Sequence, residues 1–281
     1  MSERADAHIH LFEGGYQESL MKRFGRPVDE AVVYASLAKD HGVRAALIVG
    51  YADVPWAAEN TGYLTQMEKQ YDWVHPAAYF DAAEPPTTDE LTRLQAHGFV
   101  GVSFYIFGPE RVAALLAISD EVWAWLASRR WLVSVNSKGD DWYAWQEVLR
   151  RHPELRLVVS HLGLPPKQAE APGADGARSA MASVLALAGF PKTQVKLSGF
   201  YALTDPGHDY PHRAAWPYVE ALLDAYGVER LLWASDYSPC LDCLTFPQTY
   251  DLFSKMPFLN DADRERIEGA NLLALLDEVK G

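Results

Sequence analysis

Short runs of apolar and β-branched residues recur along the chain, separated by stretches whose apolar positions fall at helical spacing. Eight such runs read as strands: Ala5 to Phe12, Ala45 to Tyr51, Val74 to Asp81, Phe99 to Phe107, Trp131 to Lys138, Leu155 to Gly163, Gln194 to Tyr201 and Arg230 to Ser238. Between them the spacing predicts helices over Asp29 to His41, Ala58 to Tyr71, Thr88 to His97, Asp120 to Arg130, Asp141 to His152, His212 to Tyr226 and, last, Asp261 to Asp277. Four of these helices end in Gly or Pro, at His41-Gly42, His97-Gly98, His152-Pro153 and Tyr226-Gly227. Each ending is soon followed by the next strand, as expected of glycine after a helix or proline just beyond it. Alternation of this kind predicts an α/β fold, a closed (β/α)8 TIM barrel formed by residues 1–281 as a single domain. A doubly wound parallel sheet is the alternative, because the same alternation serves it. The Pro-, Ala- and Gly-rich stretch from Gly163 to Gly176 reads as a long loop inside the domain.

Composition narrows the classes. With 281 residues, 49% of them hydrophobic, the chain can bury one large core without disulfides or structural metals. Its 25 Lys and Arg against 38 Asp and Glu give a formal charge of −13, a field that repels polyphosphates, so no nucleic-acid partner is expected. The start, Met1 to Asp6, lacks the apolar core of a secretory signal, and the longest uncharged stretch, Ser179 to Pro191, is too short to span a bilayer. The expectation is a soluble, cytoplasmic protein with no membrane partner. Cys240 and Cys243 form a C-x-x-C, but without a second pair they read as ordinary loop thiols rather than a redox pair or half a zinc site. An isologous homodimer is the default expectation for a barrel enzyme, and no sequence feature specifies its surface.

In a parallel barrel the strand C-terminal ends carry the chemistry, and this criterion sorts the nine histidines. His41, His97 and His152 occupy the last turns of predicted helices and His75 opens the third strand, all structural positions. His8, His10 and His161 lie near strand ends instead. In His8-Ile9-His10 the two imidazoles fall on one side of the strand and Ile9 on the other. Asp6 precedes that pair. The first and eighth strands of a barrel are neighbours, so Asp236 is expected beside the His pair, and His161 adds a third imidazole from strand six. Three His and one Asp at one face suit a borderline divalent ion such as zinc; the alternative is a hydrogen-bonded polar cluster closing the barrel mouth.

Asp6-Ala7-His8-Ile9-His10-Leu11, Ser160-His161-Leu162-Gly163-Leu164-Pro165, Val195-Lys196-Leu197-Ser198-Gly199, Trp233-Ala234-Ser235-Asp236-Tyr237-Ser238-Pro239 and Gly269-Ala270-Asn271 occur in this order almost end to end. They resemble the amidohydrolase superfamily of metal-assisted (β/α)8 hydrolases, in the amidohydrolase-related branch that includes 2-pyrone-4,6-dicarboxylate lactonase and sugar lactonases. The resemblance implies an active-site set of His8, His10, His161 and Asp236 and one divalent metal, zinc being favoured. It breaks in two places. Where many members carry a further His at the end of strand five, this chain has Asn136, and strand four, Ser103-Phe104-Tyr105-Ile106-Phe107, lacks the bridging Lys or Glu of binuclear members. A binuclear site is therefore not expected, and a metal-independent route through the same side chains stays open.

The reaction expected is hydrolysis of a lactone or related carboxylic ester. Asp236 serves as base for water, and His161 with the other imidazoles, or a metal held by His8, His10, His161 and Asp236, polarises the carbonyl. For the small-molecule substrate, Lys138, Tyr105, Tyr201, His208 and Arg213 are the candidate binding residues, with Trp142 and Tyr237 as further aromatic wall. His212 is equally well read as a solvated loop group. With Arg111 and Arg213 the only arginines near strand ends, a highly charged substrate is disfavoured. Competing readings are a metal-dependent decarboxylase of a small aromatic or unsaturated carboxylate, and a non-catalytic barrel that binds a small molecule.

Overall fold

The computed structural model describes residues 3–18 and 25–280. Its eight strands are β1 (Arg4–Ile9), β2 (Val43–Val49), β3 (Val74–Tyr79), β4 (Gly101–Ile106), β5 (Leu132–Ser137), β6 (Arg156–Val159), β7 (Gln194–Leu197) and β8 (Leu231–Trp233). They pair in chain order, all parallel. The sheet meets itself just past the end of β8. There Asp236 N–H donates to His8 O at 2.9 Å and His10 N–H to Tyr237 O at 2.7 Å, around a parallel bridge between Ile9 and Tyr237. This is the (β/α)8 barrel, and the doubly wound alternative is excluded.

Around the sheet lie the helices of seven residues or more, α1 (Glu30–His41), α2 (Asn60–Gln70), α3 (Thr88–Ala96), α4 (Gly108–Ala117), α5 (Asp120–Ser128), α6 (Ala144–Arg151), α7 (Ala174–Ala180), α8 (Trp216–Tyr226) and α9 (Asn271–Lys280). Helices α4 and α7 are additional to those the spacing predicts, and α7 begins inside the stretch read as loop. Capping is local and chemical: Asp29 accepts from Val32 N at the start of α1, and Thr87 and Glu90 form a reciprocal capping box on α3.

Strands buried on both faces explain why the apolar runs are nearly continuous. In β5, Val133 and Val135 join the core shared with the helices, whereas Leu132 faces the barrel interior and Ser134 bonds there to Lys196. The same alternation sends Leu157 and Val159 of β6 and Val195 and Leu197 of β7 outward. At the bottom, the interior is filled by small and branched groups, among them Ala5, Ala45, Ala77, Val158 and Leu232, closed by Leu272 and Leu276 of α9. Above them comes a polar layer of Ser134, Ser160 and Lys196.

The Gly269-Ala270-Asn271 motif secures this bottom closure. Asn271 Nδ2 donates to Val228 O at 2.8 Å and Leu231 O at 2.9 Å, tying α9 to the start of β8. Gly269 lies in a π-helical turn, Arg266–Ala270, pressed onto the start of β1; a methyl group there would stand 2.1 Å from Glu3 O. Backbone on backbone cannot give way cheaply. Gly269→Ala is therefore expected to lower unfolding free energy by about 1–3 kcal/mol in a urea titration, the usual range for overpacking. Because the contact is at the end of the barrel remote from the histidines, kcat and KM should be unchanged.

Candidate active site

The pairing register of β1 against β2 slips between Asp6 and Ile9, a bulge that inserts one residue. Its consequence is directional. Strict alternation would put Asp6 on the side of His8, but Asp6 instead accepts from Tyr34 Oη of α1 at 3.0 Å, while His8 points into the barrel. The Asp6 carboxylate also accepts from the displaced His8 N–H at 3.2 Å and from Ser235 N–H at 2.9 Å. It thus holds the bulge and the β8 end in one grip. Burial pushes its carboxyl up to about 6, an effect those hydrogen bonds partly offset.

The predicted convergence is present. His8 Nε2 and His10 Nε2 are 3.0 Å apart, and Asp236 Oδ1 lies 3.8 Å from the first and 3.9 Å from the second. His8, His161 and Asp236 offer donor atoms that all lie within 4.8 Å of one another. His161 and Asp236 have left-handed backbones, φ 52° and 58°, a conformation non-glycine residues adopt at a cost, often at functional positions. Two imidazole nitrogens and a carboxylate oxygen so arranged fit a zinc-type ion in both composition and spacing. Burial lowers the basicity of His8 far below its usual range, with Lys196 adding repulsion. Desolvation lowers His10 and His161 as well, against a pull upward from Asp236. Burial thus disfavours the cationic form of all three imidazoles.

Three neighbours of this cluster went unassigned in the sequence, and all come from the Val195-Lys196-Leu197-Ser198-Gly199 motif. Lys196 is fully buried with Nζ 2.7 Å from Ser134 Oγ and 3.3 Å from His8 Nδ1. Burial pulls its ammonium down to about 7, offset in part by Asp236 and Asp6. Ser198 Oγ is 2.9 Å from His161 Nδ1. Gly199 leaves room for that ring, since a methyl group there would sit 2.8 Å from His161 Nδ1.

Above the cluster opens a cavity of about 280 Å³. Tyr105 and Tyr201 line it as expected, and Tyr201 Oη donates to Asp236 Oδ2 at 2.5 Å. Desolvation and the adjacent Asp236 hold the Tyr201 hydroxyl well above its usual pKa, so it remains a donor. The rest of the aromatic wall was not anticipated: Phe12 packs on Trp56 at 4.9 Å and on Tyr16 at 5.8 Å, and Tyr51 on Tyr105 at 4.9 Å. Glu30, buried at the start of α1, organises this side by accepting from Phe12 N–H, Tyr16 N–H and Ser238 Oγ. Asn136 also lines the cavity.

Lys138, His208 and Arg213 are exposed and not among the lining residues; Lys138 lies over Phe107, and Arg213 over Trp216. Trp142 and Tyr237 are core residues, donating to Gly163 O and Glu30 O. Arg111 is paired with Asp53 and Asp81. Among the described lining residues there is no Lys or Arg, and Glu18 adds a carboxylate.

These features coincide with an established family. The amidohydrolase family model matches residues 5–277, and the chain belongs to that family. A stretch of 89 residues is 36% identical to L-fucono-1,5-lactonase of Burkholderia ambifaria, covering 31% of this chain and 28% of that protein. An amidohydrolase from Burkholderia multivorans with bound zinc shares the fold, with a TM-score of 0.77 at 20% identity over 98% of this chain and 99% of that one. So does a probable 2-pyrone-4,6-dicarboxylic acid hydrolase from Acinetobacter baumannii with citric acid bound, with a TM-score of 0.74 at 17% identity over 98% and 99%.

His212, read as a possible loop group, is fully buried, with Nδ1 2.7 Å from Thr204 Oγ1 and its ring stacked on Phe200. Burial pulls its pKa down from 6.5 to about 4. The folded state therefore disfavours the proton, and the stability this residue contributes is complete above pH 6.5 and is lost as pH falls from 6.5 toward 4. At full titration the loss is on the order of 3 kcal/mol. His212→Asn, which tolerates the left-handed backbone, should flatten the fall in unfolding free energy between those pH values; parallel curves for the two proteins would refute the assignment.

Proposed function

We propose that the chain hydrolyses a neutral lactone or a related carboxylic ester, with Asp236 as the base for the attacking water. The observation that carries this reading is a carboxylate oriented by Tyr201 beside three buried imidazoles, at the floor of an aromatic cavity with no Lys or Arg among its described lining residues. Tyr201 occupies Oδ2, leaving Oδ1 as the oxygen on the side of His8 and His10. In the proposed course, Oδ1 takes a proton from water as the water oxygen bonds to the acyl carbon. An N–H of His161 meets the charge developing on the carbonyl oxygen. Collapse breaks the bond from acyl carbon to ring oxygen, and the proton held by Asp236 passes to the leaving alkoxide, giving a hydroxy acid. A divalent ion bound by His8, His161 and Asp236, with His10 beside them, would supply Lewis-acid polarisation and a more acidic water.

The aromatic walls suit the apolar C–H faces of a sugar-like ring, while Asn136 and Tyr201 can meet its hydroxyls. That substrate class agrees with the partial likeness to L-fucono-1,5-lactonase. A dicarboxylate would find no Lys or Arg among the described lining residues, and Arg111 is already paired with two carboxylates. The two free cysteines fit a reducing, cytoplasmic setting.

The test is a pH-indicator assay of purified protein against neutral sugar lactones, aromatic lactones and simple esters, with and without chelator. Turnover of a neutral lactone is expected, and Asp236→Asn should cost roughly 10²–10⁴-fold in kcat with an unchanged circular dichroism spectrum. Lys138→Ala should leave KM unaltered. Release of carbon dioxide from an aromatic carboxylate without any lactone turnover would overturn the proposal.

A further inference from the structure

Beneath the histidine pair a chain of hydrogen bonds runs in one direction, and its polarity follows from one group whose role is unambiguous. Val49 O can only accept, so His10 Nδ1, 2.7 Å away, carries a hydrogen. In a neutral imidazole the other nitrogen, His10 Nε2, is then a lone pair. His8 Nε2 stands 3.0 Å from it and must donate. That places the His8 lone pair on Nδ1, 3.3 Å from Lys196 Nζ, which donates in turn. Lys196 has two further oxygens in reach, Ser134 Oγ at 2.7 Å and Ser160 Oγ at 3.4 Å, so Nζ stands within reach of three groups that can accept from it.

We propose that Lys196, acting with His10, is a positioning residue that holds the His8 proton on Nε2, keeping His8 and His10 as a hydrogen-bonded pair and weakening their grip on a divalent cation. Ligation through His8 Nε2 requires a lone pair at that atom, which moves the hydrogen to Nδ1 and sets it against the hydrogens of Lys196 Nζ. A dication at the His8, His161 and Asp236 donors would also lie one imidazole ring away from a buried ammonium. Distances and donor types fit zinc; the side chain below the ring opposes it. The inference concerns the resting protein and metal affinity, so its failure is distinguishable from failure of the lactone-hydrolase reading.

Two measurements on the full chain test it. Long-range proton–nitrogen correlation on metal-free protein with ¹⁵N-labelled histidine, assigned with His8→Asn, should show His8 as the Nε2–H tautomer; an Nδ1–H signature overturns the proposal outright and needs no folded variant at position 196. Calorimetric titration with zinc should show tighter binding in both Lys196→Met and Lys196→Gln than in the parent, by roughly tenfold or more, as expected from removing a positive charge a few ångströms from the ion. Folded variants that bind zinc with unchanged or weaker affinity overturn it. Should either substitution prevent folding, the tautomer of the parent protein decides.

Discussion

The barrel closes on the residues of its candidate active site. β8 is only three residues long, and the pairing between first and last strands is completed beyond it by Asp236 N–H on His8 O and His10 N–H on Tyr237 O. Asp6 reinforces this seam from outside the barrel, accepting from His8 N–H on one strand and Ser235 N–H on the other. The relative position of the two imidazoles and the carboxylate is therefore fixed by backbone pairing rather than by side-chain packing alone. A carboxylate held in this way needs little reorganisation, which is the condition under which fixed dipoles and charges act most strongly.

The seam also explains what could be read from the sequence. Strands buried on both faces leave near-continuous apolar runs, so their order and number were legible. From order alone it follows that the first and eighth strands are neighbours, which brought Asp236 beside the H-x-H pair. Orientation around His8 was not legible, because a one-residue bulge leaves no periodic trace. Lys196 was missed for a different reason: a single Lys in a strand reads as a solvent-facing position, and only the barrel's inward face shows it to be buried beneath His8. The cavity wall was sought after later strands, and of the residues named there Tyr105 and Tyr201 line it while Lys138, His208, Arg213, Trp142 and Tyr237 do not. The rest of the wall includes Phe12, Tyr16 and Trp56, after β1 and β2, where the aromatic residue two places beyond His10 was the available signal. Charged residues such as Lys138 and Arg213 remain in solvent because nothing in the loops compensates the loss of their hydration.

Charge at the centre is balanced locally, despite the overall excess of carboxylates. Burying Lys196 without a carboxylate in contact would be costly, and its hydroxyl partners repay only part of that. Asp236 and Asp6 draw its basicity upward, while Lys196 helps keep His8 uncharged. The groups influence one another: a buried lysine, three buried imidazoles and a carboxylate already receiving the Tyr201 hydrogen bond. A neutral ring entering the aromatic cavity leaves this balance undisturbed until a proton moves. An anionic substrate would have to be compensated by new cations; the described lining residues include no Lys or Arg, and Arg111 is committed to Asp53 and Asp81. The charge balance beneath the cavity, like its walls, supports the proposed preference for an uncharged substrate.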